Sequence, residues 1–438
     1  MAKVLPSRRM STEANIPPAK HDPYAALKIA PFRNFQLSRF LLTFAIQMLE
    51  TVLAWRLYEI TNDPLALGLI GLFEAIPFII TSFFGGHAAD TYNRYKIARG
   101  TIIAITCSFM TVGLILTGHI PIIKHLGITP IYFIVGFTGI ARGFMAPAYQ
   151  SIFPQLLPRN LYANGATWGS NAWQTAAVVG PAAGGVIYGY ATSWALPAVE
   201  ITYGIGFILM VASFFLFLRV PVKETPPKEK HETLIESLTV GLKFVFNKQL
   251  MLSAISLDLF AVLFGGAVAL LPVFAKDILH TGPQGMGLLR AAPFLGSVSM
   301  GFFLAYYPPT HKAGRNLLIA VTGFGLAIIG FAFSENFYLS WVMLYLTGAF
   351  DNISVVIRQT ILQVLTPDNM RGRVSAVNQI FIASSNEIGS FESGAMAKLM
   401  GTVPSVIFGG RMTLLVVVIT YFFAPQMRRL ENLGEDTK

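Results

Sequence analysis

Residues 178–185 read "VVGPAAGG" and residues 387–394 read "EIGSFESG". A shift of 209 residues lays one stretch on the other, with Gly180 on Gly389 and Gly185 on Gly394. The same register holds without a gap upstream, where Gln150 meets Gln359, Pro158 meets Pro367 and Asn160 meets Asn369. A second pair lies nearer the start of each copy. "GLFEAIPF" at 71–78 matches "GLLRAAPF" at 287–294, keeping the proline (Pro77, Pro293) and exchanging Glu74 for Arg290. Arg142 likewise meets Asp351. The chain therefore reads as two copies of one unit, and the octets pose a question: why does the second carry two carboxylates, Glu387 and Glu392, in a small, apolar setting?

The solvent of the unit follows from composition. Of 438 residues, 54% are hydrophobic and 12% charged, and the mean hydropathy is +0.58. A soluble domain carries about 25% charged residues, so lipid is the solvent that fits. A spanning helix needs about 20 apolar residues. Runs of that kind fall near 36–60, 65–86, 97–119, 129–154, 164–190 and 197–218, then 250–275, 283–306, 316–334, 337–362, 373–400 and 404–425. The fold class expected is an all-α integral membrane protein with twelve transmembrane helices in two pseudo-symmetric six-helix halves. Six spans per copy keep both copies in one orientation, so the symmetry axis runs along the membrane normal. The implied domains are a tail at 1–33, a six-helix bundle at 34–219, a linker at 220–249, a second bundle at 250–426 and a tail at 427–438. Within the linker, Leu234, Leu238, Leu242 and Val245 recur at helical spacing, which predicts a helix lying along the membrane interface. A plain solvated linker is the alternative for 220–231.

The net charge of +10 and a pI of about 9.6 would suit nucleic acid, but the cations fall in short breaks between apolar runs. They are topology signals instead, and the partners expected are the bilayer and a small molecule, with no nucleic acid. Basic breaks carry Arg94, Lys96 and Arg99, then Lys312 and Arg315, then Arg371 and Arg373, whereas "TNDP", "ATSW" and "SEN" carry no Lys or Arg. Lys124, Lys276 and Arg411 dissent. The positive-inside rule then places both termini in the cytoplasm of a multi-pass inner-membrane protein. The opening "MAKVLPSRRMSTEANIPPAKHD" has no apolar core or small-residue cleavage site and is read as a tail, not a secretory signal.

The chemistry of an enzyme is not visible. The single cysteine, Cys107, allows no internal disulfide and no zinc spacing. The seven histidines form no HExxH, and no GxxxxGK[ST] loop occurs, so neither a metal site nor ATP hydrolysis is expected. No cofactor is called for, and the energy source expected is an ion gradient or the cargo's own gradient. A monomer is one option, and the sequence leaves oligomerisation open.

What remains are ionisable groups inside spans. Glu50, Arg142, Asp258 and Glu387 lie well within apolar runs. An isolated charge at mid-membrane costs about 2.5–3.5 kcal/mol or more, so such groups are paired or face a wet cavity, and function is the first hypothesis. These four are the candidate proton-coupling and cavity residues. Glu74, Arg290, Asp351 and Glu392 are secondary candidates, and for Glu74 and Arg290 a structural pairing with other spans weighs equally. Glu387 and Glu392 are about 140° apart on a helix, which favours Glu387 for the inner wall and Glu392 for an interhelical or interfacial position. Two parallel six-span copies with mid-span charges are the mark of a secondary transporter with a central site.

Specific stretches resemble the major facilitator superfamily. "GGHAADTYNRYK" at 85–96 is similar to its signature loop between spans two and three, through Gly86, Asp90, Arg94 and Lys96, with Thr91 and Asn93 departing from the usual basic residue and glycine. "GPAAGG", with Gly180, Pro181, Gly184 and Gly185, resembles its span-five antiporter motif, although Ala176 stands where an outer glycine is usual. Arg142 resembles its span-four arginine, followed here by Met145 and Ala146. "DLFAVLFGGAVALLPVFA", "MRGRVSAVNQIFIASSNEIGSFESG" and "VPSVIFGG" are similar to the enterobactin-exporter-like branch. The resemblance implies alternating access around a midplane cavity and proton-coupled antiport exporting a siderophore-like chelator or an amphipathic drug. Gly86, Asp90, Arg94 and the "GPAAGG" residues would be gating elements. An uptake transporter of the same fold and a transport-inactive receptor or scaffold are the alternatives.

Overall fold

The computed structural model describes residues 22–221 and 234–431, except 308, 310, 368 and 369. Its long elements are all helices, joined by short breaks. The first half comprises α1 (Ala30–Thr61), α2 (Pro64–Thr91), α3 (Arg94–Leu116), α4 (Thr129–Leu156), α5 (Tyr162–Ser193) and α6 (Ala198–Leu218). The linker helix α7 (Leu234–Asn247) follows. The second half comprises α8 (Gln249–Phe264), α9 (Gly282–Tyr306), α10 (Ala313–Ala332), α11 (Phe337–Leu365), α12 (Arg371–Met400) and α13 (Thr402–Phe423). The span beginning with α8 breaks at Gly265 and Gly266 and continues through a 3-10 turn (Ala267–Leu270) and a π turn (Phe274–Ile278). The expected tails at 1–21 and 432–438, and linker residues 222–233, lie outside the described residues.

Local chemistry sets the ends. Asn62 closes α1 in the left-handed region (φ 47°), and Asp63 then accepts from the Leu65 amide at 3.0 Å while Pro64 occupies the first turn of α2. This is a side-chain N-cap followed by a proline whose missing N–H costs nothing there. Asn93 caps α3 by accepting from Tyr95 and Lys96, and Asn336 caps α11 by accepting from Tyr338 and Leu339. Each capping residue sits in a polar break, so the same residues that end a hydrophobic run start the next helix.

Ten stretches are long and apolar enough to cross a membrane. The two remaining long helices are α5 and α12, of 32 and 30 residues, about 45 Å each at 1.5 Å per residue. They are the repeat partners that carry "VVGPAAGG" and "EIGSFESG". Their polarity is concentrated on one stretch: Ser170, Asn171 and Thr175 of α5, and Ser375, Gln379 and Asn386 of α12, are all exposed. Polar groups at membrane depth line water rather than lipid, so both helices border a wet cleft in their first halves.

Contacts across the pseudo-symmetry follow the same pairing. α5 packs on α9, and α12 packs on α2. Within the first half α1 packs on α5 and α6, α2 on α4, and α3 on α4; within the second, α9 and α10 pack on α11, and α8 on α12 and α13. Linker helix α7 leans on the start of α12, where a Cβ at Gly241 would stand 3.0 Å from the Arg373 carbonyl, and Val245 is fully buried. The linker helix therefore docks on the second half at its helix ends.

Candidate functional site between the two halves

Glycines bring the halves together at one end. On α5, a Cβ at Gly180 would stand 3.0 Å from the Phe44 carbonyl and one at Gly184 2.6 Å from the Met48 carbonyl, both on α1. A Cβ at Gly185 would stand 2.8 Å from Gly287 Cα, on α9 of the other half. The second copy repeats the plan. A Cβ at Gly389 would stand 2.6 Å from the Leu263 carbonyl on α8, and one at Gly394 would stand 2.9 Å from Gly68 Cα on α2. In each octet one glycine thus seats its helix on its own half and a later one seats it on the opposite half. Small residues let helix backbones approach this closely in lipid. Pro181 is buried in the same seam, its carbonyl 2.6 Å from where a Gly287 Cβ would lie. Polar bridges lie at the same end: Lys398 pairs with Asp63 at 2.5 Å, Lys276 donates to Asn62 at 2.6 Å, and Tyr58 donates to Asp277.

Just inside this closed end the mid-span charges meet. Arg142 of α4 forms an ion pair with Glu74 of α2 and stands 3.4 Å from Glu50 of α1. Arg290 of α9, from the other half, reaches Glu50 at 3.4 Å. Glu387 of α12 packs against α2, its Oε2 3.3 Å from where a Gly71 Cβ would lie, within electrostatic reach of Glu74, Arg142, Glu50 and Arg290. The five side chains come from five helices and both halves. Three carboxylates against two guanidiniums give the fully ionised group one surplus negative charge. Glu50 is shared by an arginine from each half and is its hub.

The other expected residues fall elsewhere. Asp258 is buried in the second half in an ion pair with Arg358 of α11, so it pins α8 to α11 and does not join the five-residue group. Asp351 is half-buried on α11 and has no ion-pair partner among the described residues. Glu392 is half-buried, with Oε1 lacking a partner among the described residues and Oε2 3.5 Å from Ser393 Oγ. Gly86 is half-buried near the far end of α2. Arg94 donates to the Ala89 carbonyl at 2.8 Å and reaches Ser151 of α4 at 3.5 Å. The side chain of Asp90 lies outside the described residues. Glu74 and Arg290, secondary on the sequence, are direct partners of Arg142 and Glu50.

Arg358 and the Asp63–Lys398 pair were not expected. Arg358 carried the same sign as the four primary candidates, a charge inside an apolar run. Its meaning appears only in the symmetry of the halves. Gly180 faces Phe44 and Gly389 faces Leu263, so the first spans match at an offset of 219 rather than 209. Under these offsets Asp258 corresponds to Arg39, and Arg358 to Tyr149. In the first half Arg39 lies over the Tyr149 ring at 5.6 Å, a cation–π contact where the second half has an ion pair.

The comparisons agree with this architecture. The major-facilitator family model described as transmembrane secretion effector matches residues 21–436. The enterobactin exporter EntS of Citrobacter koseri is 24% identical over 411 residues, covering 93% of this chain and 95% of that one. Among solved structures, a bacterial homologue of the human lysosomal transporter Spinster, inward-facing and unoccupied, is similar with TM-score 0.68 at 15% identity, covering 95% of this chain and all of that one. A peptide transporter POT, solved as a point mutant, gives TM-score 0.69 at 12% identity, covering 94% and 100%. The chain is a multi-pass membrane transporter, not an enzyme, and belongs to the transmembrane secretion effector family of the major facilitator superfamily.

Proposed function

We propose that the protein is a proton-coupled antiporter that exports a small molecule, a siderophore-like chelator or an amphipathic drug, by alternating access across the inner membrane. Both termini and the linker lie in the cytoplasm in this reading, which makes the glycine-sealed end periplasmic and the polar cleft beside α5 and α12 open to the cytoplasm. The observation that carries it is the five-residue charge group at the meeting of the halves, one carboxylate in excess. A proton taken up there neutralises the group. Passed on to Glu50, it also weakens that carboxylate's hold on Arg142 and Arg290, and the Glu50–Arg290 contact ties half to half. Loading from the periplasmic side and unloading to the cytoplasm would link proton passage to separation of the halves. Glu387, facing the same group from α12, is the carboxylate best placed to exchange the proton, and Gly86, Asp90 and Arg94 would steady the cytoplasmic end of α2 in the alternate state.

Purified protein in liposomes tests this. With a pH gradient imposed, catecholate siderophore or a fluorescent amphipathic dye should move against its own gradient, and adding cargo should evoke counter-movement of protons. Cargo movement insensitive to the pH gradient removes the coupling, and no movement of either probe by folded protein removes the exporter reading.

A further inference from the structure

A second site of different chemistry lies at one corner of the second half. α9 and α10 both pack on α11 and scarcely touch each other. The cleft between them, about 360 Å³, has walls of Phe303, Tyr307, Ile319 and Ala320 and a floor of Phe350 and Ile353. Phe303, Tyr307 and Ile319 are exposed, so the cleft opens on the outer, bilayer-facing side of the bundle rather than on the charge group.

Its rim is cationic. Lys312 and Arg315 stand exposed at the start of α10. The chain after α13 comes back beside them, since the Gly314 amide donates to the Leu430 carbonyl at 3.2 Å. That brings Arg428 and Arg429, both exposed, to the same corner, with the Arg428 guanidinium 4.8 Å above the Tyr421 ring. In residues 301–315 and 421–431 there are four Lys or Arg, and Glu431 is the one carboxylate. The corresponding loop of the first half, 85–96, carries Asp90 among its cations. Loss of that acid leaves this corner seeking an anion. Exposed aromatic residues such as Tyr307, Tyr421 and Phe422 flank it, as expected at the level of lipid headgroups.

We propose that this corner is a binding site for one anionic phospholipid, with an acyl chain in the α9–α10 cleft and its phosphate at Lys312 and Arg315. The cleft supplies an apolar seat that a free phosphate would not use. The rim supplies charge that a zwitterionic lipid would not satisfy. A multi-pass protein meets this ligand at bilayer concentration, so modest affinity keeps the site filled. Each basic residue near a charged membrane surface strengthens binding by about fivefold.

Native mass spectrometry of the full chain in detergent, titrated with phosphatidylglycerol or phosphatidylcholine of equal chain length, tests the proposal. One tightly held phosphatidylglycerol is expected, preferred over phosphatidylcholine. Arg315→Gln should weaken it about fivefold and Lys312→Gln with Arg315→Gln about 25-fold, bringing it toward phosphatidylcholine. Ala320→Phe, which fills the cleft, should weaken both lipids, and so should Ile319→Trp at its mouth. Arg33→Gln, exposed elsewhere, should change nothing. Equal retention of the two lipids by the unmodified protein overturns the site. So does a charge effect that neither cleft-filling variant reproduces, since that would be diffuse attraction without a seat.

Discussion

The closed end should be opened by a single methyl group. In Gly394→Ala the new Cβ would stand 2.9 Å from Gly68 Cα and N and from the Pro64 carbonyl. Carbon contacts are comfortable at about 3.5–4.0 Å, and the obstacle is backbone, which cannot rotate aside. α12 and α2 must therefore part by roughly 0.6–1.1 Å, judged from that contact distance. Overpacking of this kind costs about 1–3 kcal/mol. The gain of about 1 kcal/mol in helix propensity from Gly to Ala applies to every state in which α12 is helical, so it cancels. The ratio of closed to separated halves should fall roughly 5- to 150-fold, at 1.4 kcal/mol per factor of ten. Gly185→Ala, 2.8 Å from Gly287 Cα, should act alike from the other seam. Spin labels at Trp194 and Leu399, exposed on opposite halves, in a Cys107→Ala background, would report the shift as a longer distance population. Gly204→Ala, with nothing within 4 Å, is the control. If both seam variants fold and keep the parent distance distribution, the glycine contacts do not set the closed state.

Other consequences follow from the same geometry. Asp258→Asn or Arg358→Met should lower the stability of the second half by about 3–5 kcal/mol, the usual cost of breaking a buried pair from one side, while Asp258→Leu with Arg358→Met should recover most of it; thermal unfolding in detergent measures both. Glu387→Gln should fold and lose proton-driven export in liposomes while retaining passive exchange, and Glu392→Gln should do less; the reverse order would exchange their roles. Lys398→Gln should lengthen the Trp194–Leu399 distances only slightly, because a half-exposed pair contributes about 0–1 kcal/mol, and an effect equal to Gly394→Ala would place the closure in the ion pair. Single cysteines in "TNDP" or "SEN" should react with a membrane-impermeant maleimide from the periplasmic side, and labelling of residue 228 from that side would invert the proposed orientation.

Much of the fold was legible because lipid imposes simple rules. Apolar runs of helical length, polar breaks with capping residues and the ungapped repeat from Gln150 to Gly185 located every span to within a few residues. The matched glycines announced close packing. Which helix each glycine meets was not legible, since a small residue records only that something comes near. The charge group was half legible. Glu50, Arg142 and Glu387 stood out as intramembrane charges, yet their mutual contact joins positions as far apart as Glu50 and Arg290, which no local pattern connects. Asp258 belonged to the same list and proved to have a private partner. The correspondence of Arg39 with Asp258 stayed hidden because the loops between the first and fourth spans differ in length in the two halves, moving the offset from 219 in the first span to 216 in the second and 209 from the fourth.

The Asp258–Arg358 pair has a consequence for how the chain is made. The two residues are separated by about a hundred positions, which at roughly 5–20 residues per second is about 5–20 s of translation. During that interval the aspartate enters the bilayer before its partner exists, at a cost of about 2.5–3.5 kcal/mol. At the matching position of the first half there is no such wait, because Arg39 lies 5.6 Å from the ring of Phe35, one turn back in the same helix, and sits near that helix's start. The span carrying Asp258 should therefore be held at the insertion machinery until α11 emerges. A nascent chain stopped at residue 335 should remain crosslinkable to that machinery, and one extended far enough beyond residue 365 for α11 to have left the ribosome should be released.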